Sequence, residues 1–351
     1  MKKTCLLGLS ILLTVSAIVG CAAPASAPEQ PDEEAPAVIE ETTVEEPAQK
    51  EFKDLVIGYS QMENNMPWRV AETNNMKTEA EKRGINLIYA DAQSDTAKQI
   101  SDVESLIAQG IDYLLISPRE YDGLEGVLED ANEAGVPVIM VDRDASGEKV
   151  TYIHPDNVLE GAIAARMLAK ALDGKGNVVE LTGTEGSSGA RDRQKGFTDT
   201  IASEFPDIKI IVSQTGDFSR IKGKDTMANI LQSKGDEINA VYAHNDEMGL
   251  GAIEAIEADG RFVVGEDILI ASIDGQNSGV QAVADGKFLF TIECTPFYGP
   301  FSFDAVESHF KGEDVPKDIF TIGNIFTIDG EGGTVDGYTI VKAADYIGKQ
   351  F

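Results

Sequence analysis

From Leu55 onward the chain alternates short apolar runs with amphipathic stretches of helical period, and it does so twice over. The runs Leu55–Tyr59, Ile85–Tyr89, Tyr113–Ile116 and Pro137–Val141 are short and largely apolar, the pattern of strands buried on both faces of a parallel sheet. Between them lie predicted helices near Trp68–Arg83, Asp95–Gln109 and Gly123–Ala134. Asp95 is suited to cap the second helix, and Gly84, Gly110 and Gly135 follow helices where a left-handed residue is wanted. After Val150–Ile153 the grammar restarts. Asn177–Leu181, Ile208–Val212, Ala240–Tyr242 and Ile268–Ile273 alternate with helices near Val158–Leu172, Arg191–Glu204, Ile221–Ser233 and Glu247–Ala258. The pattern predicts an α/β protein of two doubly wound lobes in tandem. Toward the end, Phe288–Ile292 reads as a strand, Tyr298–Phe310 as a helix and Asp318–Thr327 as one or two strands. A chain that crosses back after Ile292 and returns near Thr321 links the lobes three times. The first lobe is then expected at 53–153 plus 295–322, and the second at 154–294 plus 323–351.

What precedes Leu55 has another texture. Lys2 and Lys3 lead an apolar run from Leu6 to Val19 that closes on Ile18-Val19-Gly20-Cys21. This is the layout of a secretory signal over 1–20, too short and wrongly flanked for a spanning helix. Its last four residues resemble a bacterial lipobox, which implies lipidation of Cys21 and anchorage to the outer face of the cell membrane. A diacylglyceryl group supplies the two chains that stable anchoring needs. Residues 21–52 carry that cysteine and a stretch rich in proline and glutamate. Such a stretch buries too little to offset the entropy of ordering, and is expected to be a disordered tether with a reach of roughly 30 Å.

Charge and cysteine content remove several function classes. Basic residues number 29 against 60 acidic, a formal net charge of −31, which disfavours nucleic acid and anionic membrane surfaces as partners. Of the 3 cysteines, Cys5 leaves with the signal and Cys21 takes the lipid, so Cys294 has no disulfide partner. His154, His244 and His309 share no metal-ligand spacing, and no cofactor or metal is expected. No G-x-S-x-G elbow supports a hydrolase. Gly183-x-x-Gly186-x-x-Gly189 has neither P-loop nor dinucleotide spacing and reads as a strand-to-helix turn. Carboxylates beside arginines suit ligand hydrogen bonding better than glycosidase chemistry.

Open α/β sheets bind ligands beyond the carboxyl ends of their strands. The residues at those places are Ser60-Gln61, Asp91, Ser117, Asp142-Arg143, Thr182, Gln214, Asn245-Asp246 and Asp274, nearly all able to hydrogen-bond. Singly, each suits a turn or a helix cap. Together, on two facing lobes, they describe a polar cleft for a neutral ligand rich in hydroxyls. Asp142 and Asp274 accept from hydroxyls, and Arg69, Arg143 or Arg191 donates to their oxygens. Trp68, the only tryptophan, opens the first helix where its face can lie on a sugar ring, and Phe218 can close the other side.

Four segments carry a family likeness: Trp68-Arg69-Val70-Ala71-Glu72-Thr73-Asn74, Gly216-Asp217-Phe218-Ser219-Arg220, Val241-Tyr242-Ala243-His244-Asn245-Asp246 and Ser272-Ile273-Asp274-Gly275. From about Leu55 to Thr327 the chain resembles the pentose- and hexose-binding proteins of bacterial sugar ABC transporters, most of all their galactofuranose-binding type. The resemblance implies two Rossmann-like lobes joined by a three-segment hinge, the periplasmic binding protein type I fold, closing over one monosaccharide. It implies ligand contacts at Asp142, Arg143, Arg191, Phe218, Asn245 and Asp274. Trp68-Arg69 stands where ribose binders carry two aromatics, and Cys294 where they carry a glutamine. The implied function is capture of galactofuranose, with arabinose, another furanose or galactopyranose as alternatives, by a monomer that delivers it to an ABC permease. The rival is an extracellular sugar receptor feeding a membrane sensor kinase.

Overall fold

The computed structural model describes residues 50–351. The signal, Cys21 and nearly all of the tether lie outside the described residues.

The first α/β set comprises β1 (Val56–Gln61), α1 (Pro67–Arg83), β2 (Asn86–Asp91), α2 (Thr96–Ala108), β3 (Tyr113–Ser117), α3 (Glu125–Glu133), β4 (Val138–Val141) and β5 (Thr151–Pro155). The second comprises α4 (Asn157–Ala171), β6 (Gly176–Thr182), α5 (Ser188–Glu204), β7 (Ile208–Thr215), α6 (Arg220–Lys234), β8 (Ala240–Ala243), α7 (Asp246–Asp259), β9 (Leu269–Asp274), α8 (Asn277–Ala284) and β10 (Phe290–Glu293). The chain ends with α9 (Gly299–Phe310), β11 (Asp318–Thr321), β12 (Asn324–Thr327) and the hairpin β13 (Thr334–Val335) and β14 (Tyr338–Lys342).

Two sheets result, one per lobe. The first runs β11-β5-β4-β3-β1-β2 and is wholly parallel; the second runs β13-β14-β12-β10-β9-β8-β6-β7 and is mixed, with β12 antiparallel to β10 and β13 antiparallel to β14. Each has the doubly wound order, with the second strand outside the first. Every residue of β3, β4 and β8 is buried, as the apolar runs require of central parallel strands, whereas β2 and β7 at the edges are half exposed. Asp95 caps α2 by accepting from the Lys98 amide, and Gly84 ends α1 in the left-handed region.

The backbone passes between the sheets three times: between β5 and α4, between β10 and α9, and at Ile322-Gly323. The crossings run side by side. Thr321 pairs with Pro155, and the Glu293 carboxylate accepts from the Asn324 amide and side chain at 2.9 and 2.7 Å. α9 returns to the first lobe and packs on α1, the Gly299 amide donating to Asn75.

One helix contact shapes the site. α4 and α5 approach so closely that a Cβ on Gly161 would sit 2.2 Å from the Arg193 carbonyl oxygen, and one on Gly196 1.9 Å from that of Val158. Only glycine allows this approach.

Candidate functional site

The carboxyl ends of both sheets face one cavity. The first lobe contributes Trp68 and Arg69 from the start of α1, and Asp142 and Arg143 from the end of β4. The second contributes Gly189 and Arg193 from α5, Phe218 before α6, Asn245 before α7 and Asp274 at the end of β9. Met66, Asn157 and Cys294 complete the wall. All the charged and aromatic members are buried, so the lobes are closed over the cavity.

Contacts between the lobes fix the closure. The Tyr121 amide donates to the Gly186 carbonyl at 2.9 Å, and the Asp144 amide donates to Ser188 Oγ at 2.8 Å. Arg143 lies over the Phe218 ring at 5.3 Å, and the Trp68 indole N–H donates to the Cys294 carbonyl at 2.8 Å.

Two acid–arginine constellations face each other. In the first lobe Arg69 Nη2 donates to Asp142 Oδ2 at 2.6 Å, while Nη1 donates to Glu72 at 2.8 Å and Ser117 Oγ at 3.0 Å. Burial pulls the Arg69 guanidinium down, but Asp142 and Glu72 outweigh it and hold the group firmly charged. Arg143 is pushed down to about 10 by burial and by Arg69, and remains a cation at neutral pH. In the second lobe Arg193 Nη1 donates to the His244 carbonyl at 2.6 Å and stands 3.7 Å from Asp274. Burial pushes Asp274 well above the usual carboxylate range, with Arg193 opposing, so a ligand hydroxyl donating to it favours its charged form.

Three residues of the wall carry positive φ. Asp142, Phe218 and Asp274 have φ of +63°, +55° and +123°, unusual for residues with a Cβ and common at ligand sites. Phe218 is seated on Gly183, where a Cβ would fall 2.0 Å from the ring. That contact accounts for the first glycine of the Gly183, Gly186, Gly189 turn.

Two residues named from the sequence are placed elsewhere. Arg191 is outside the cavity: its side chain is 52% exposed, bonds to Asp192 and lies over the Tyr121 ring at 4.7 Å across the rim. Arg193 occupies the inward position. Gly189 and Arg193 are four apart and share the cavity face of α5, whereas residue 191, two on from Gly189, projects about 200° away. Gln61 turns inward instead of into the cavity, its amide donating to Tyr59 Oη at 2.7 Å and Glu72 at 2.8 Å. Asn245 caps α7 through the Met248 amide and donates to the Phe218 carbonyl, so the turn-and-cap role coexists with its place on the wall. Arg193 and Asn157 were not identified from the sequence. Asn157 follows β5 as the other polar residues follow their strands, and that signal was available.

The arrangement is built to bind rather than to react. Three buried guanidinium groups are balanced by carboxylates, leaving donors and acceptors interleaved around a small volume, which suits an uncharged polyhydroxyl compound.

Comparison with known proteins agrees. Residues 57–298 match the family model described as periplasmic binding protein domain. The galactofuranose-binding protein YtfQ of Escherichia coli K12 is 44% identical over 270 residues, covering 75% of this chain and 84% of its own length. The ribose import binding protein RbsB of Bacillus subtilis is 40% identical over 269 residues, covering 76% and 85%. Among solved structures, the arabinose ABC transporter binding component from Shewanella sp. ANA-3, bound to α- and β-L-arabinofuranose, superposes with a TM-score of 0.77 at 38% identity, covering 84% of this chain and 95% of that one. The chain belongs to the periplasmic binding protein family, among its sugar-binding transport members, and is an extracytoplasmic substrate-binding protein, not an enzyme.

Proposed function

We propose that the protein captures one monosaccharide in its furanose form, galactofuranose before arabinofuranose, and delivers it to an ABC permease. The observation that carries this reading is the pairing of Arg69–Asp142 and Arg193–Asp274 on opposite walls of one closed cavity, with Trp68 at its edge. A hydroxylated ring placed between them satisfies both lobes at once and favours the closed state. Three or four charge-assisted hydrogen bonds of about 1.5–3 kcal/mol each, less the cost of immobilisation, correspond to binding near the micromolar range. Furanose preference is supported by Trp68-Arg69 and by the furanose named for two of the similar proteins. Cys294 at the cavity wall offers no amide to a pyranose or to ribose. A lipid on Cys21, supported by the Ile18-Val19-Gly20-Cys21 signature, is proposed to hold the protein at the membrane.

Calorimetric titration with galactofuranose, arabinose, ribose and galactopyranose donors, including furanose-locked glycosides, tests the specificity. Micromolar binding of a furanoside with at least ten-fold weaker binding of locked pyranosides is expected. Equal or tighter binding of pyranosides refutes furanose selection. A Cys21→Ser variant is expected in the soluble extracytoplasmic fraction, and its retention at the membrane refutes the anchor.

A further inference from the structure

Behind two of the three cavity arginines, Arg69 and Arg193, stands a glutamate that the cavity does not reach. Glu72 on α1 and Glu160 on α4 are both 0% exposed. Glu72 Oε2 accepts from Arg69 Nη1 at 2.8 Å and from the Gln61 amide at 2.8 Å. Glu160 Oε2 accepts from Arg193 Nε at 3.1 Å and lies 3.0 Å from Nη2. In each glutamate the other oxygen, Oε1, has no hydrogen-bond partner among the described residues. The two lobes thus repeat one motif in order of depth: glutamate, arginine, aspartate.

The motif answers a problem that a bare acid–arginine pair would create. An arginine and an aspartate facing each other in a closed cavity favour the bidentate fork, which occupies both carboxylate oxygens and one edge of the guanidinium. Such a fork leaves little for a ligand. Here the glutamate takes donors on the far side, and the forks do not form. Arg69 reaches only one oxygen of Asp142, and Arg193 stops 3.7 Å short of Asp274, whose oxygens have no hydrogen bond to other side chains. Burial raises both glutamates to about 7 while the adjacent arginines pull them down, the signature of buried acids whose charged form depends on the arginine.

We propose that Glu72 and Glu160 are positioning residues for ligand binding, holding Arg69 and Arg193 back so that Asp142 and Asp274 keep free oxygens for ligand hydroxyls. The proposal rests on the sugar-binding reading of the cavity and concerns residues outside its wall.

The test is a set of double-mutant cycles on the mature protein, with the affinity for the best-binding furanoside read by calorimetry and folding read by thermal melting. Glu72→Gln and Glu160→Gln keep the shape and one acceptor but relax the hold. Each is expected to weaken binding ten-fold or more with the protein still folded. In Glu160→Gln the arginine is expected to fall onto Asp274, so adding Asp274→Asn costs less than in the wild-type background. Glu160→Gln with Asp142→Asn, across the cavity, should multiply. Should a glutamine variant fail to fold, Glu72→Asp or Glu160→Asp draws the carboxylate back by one methylene and is expected to weaken binding at least three-fold. Glutamine variants that bind like wild type, or same-lobe doubles that multiply as fully as cross-lobe ones, overturn the inference. Wild-type protein that binds no sugar of the panel sinks the functional reading itself, and this inference with it.

Discussion

Replacing Arg193 by lysine, beside Arg191 by alanine, separates two residues that the sequence alone does not distinguish. Arg193 engages Glu160 through one edge, the His244 carbonyl through Nη1, and reaches toward Asp274 with what remains. A lysine ammonium concentrates its donors at one point and cannot hold Glu160 while serving the cavity. One charge-assisted hydrogen bond to the ligand is lost, about 1.5–3 kcal/mol, so affinity falls roughly 10- to 150-fold. Charge is retained, so folding changes little. Arg193→Ala instead leaves Glu160 and Asp274 buried without their cation and costs roughly 3–5 kcal/mol of folding stability. Arg191→Ala removes only the stacking on Tyr121 at the rim, worth about 0.5–1 kcal/mol, and is expected to weaken binding no more than about five-fold, mainly through faster release. Calorimetry gives the affinities and stopped-flow Trp68 fluorescence the release rates. If Arg191→Ala weakens binding as much as Arg193→Lys, the assignment of the inward face of α5 is wrong.

Further expectations follow from the same geometry. Asp142→Ala and Arg143→Ala should each weaken sugar binding by roughly 1.5–3 kcal/mol in calorimetry, and unchanged affinity in both removes the site. Trp68, tied by its N–H to the Cys294 carbonyl at a crossing, should change emission with sugars that bind and not with amino acids; silence during calorimetrically proven binding refutes its place beside the ligand. Glu72, raised by burial to about 7, keeps a proton in the folded state that the unfolded chain releases near 4.3, so it stabilises the fold below that value and the contribution is lost as pH rises through 7. The wild type should therefore lose more unfolding free energy than Glu72→Gln between pH 5 and 8, by up to about 3 kcal/mol in denaturant titrations, and parallel profiles contradict the burial argument. Gly183→Ala drives a methyl into the Phe218 ring and should cost both affinity and about 1–3 kcal/mol of stability; a neutral effect means the ring is not seated there.

The legible parts of the molecule are those where one principle dominates. Fully buried parallel strands such as Tyr113–Ser117 announce themselves as apolar runs, and the residue after such a strand is carried to the sheet's carboxyl end, which is how Asp142, Asn245 and Asp274 come to line one cavity. Side-chain direction was harder to read. Gln61 ends β1 in the same way, yet turns toward Tyr59 and Glu72, because the choice between cavity and interior depends on partners distant in sequence. On α5 the helical period decides between Arg191 and Arg193, and only a fixed face, such as that of Gly189, resolves it. Short elements stabilised by their surroundings gave weak signals: α8 is a single eight-residue helix, and β13 has two residues. Asp336-Gly337, with both φ values positive, is nonetheless the recognisable turn of that last hairpin.

The neck of three side-by-side passages between the sheets carries a mechanical consequence. Pro155 beside Thr321, and Glu293 clasping Asn324, make it a strap rather than a string, stiff against twist and sideways slip but free to flex about its width. Each opening therefore retraces one arc, and on every return the Arg69–Asp142 wall of one half comes to face the Arg193–Asp274 wall of the other in unchanged alignment, so selectivity is set by a motion with a single degree of freedom.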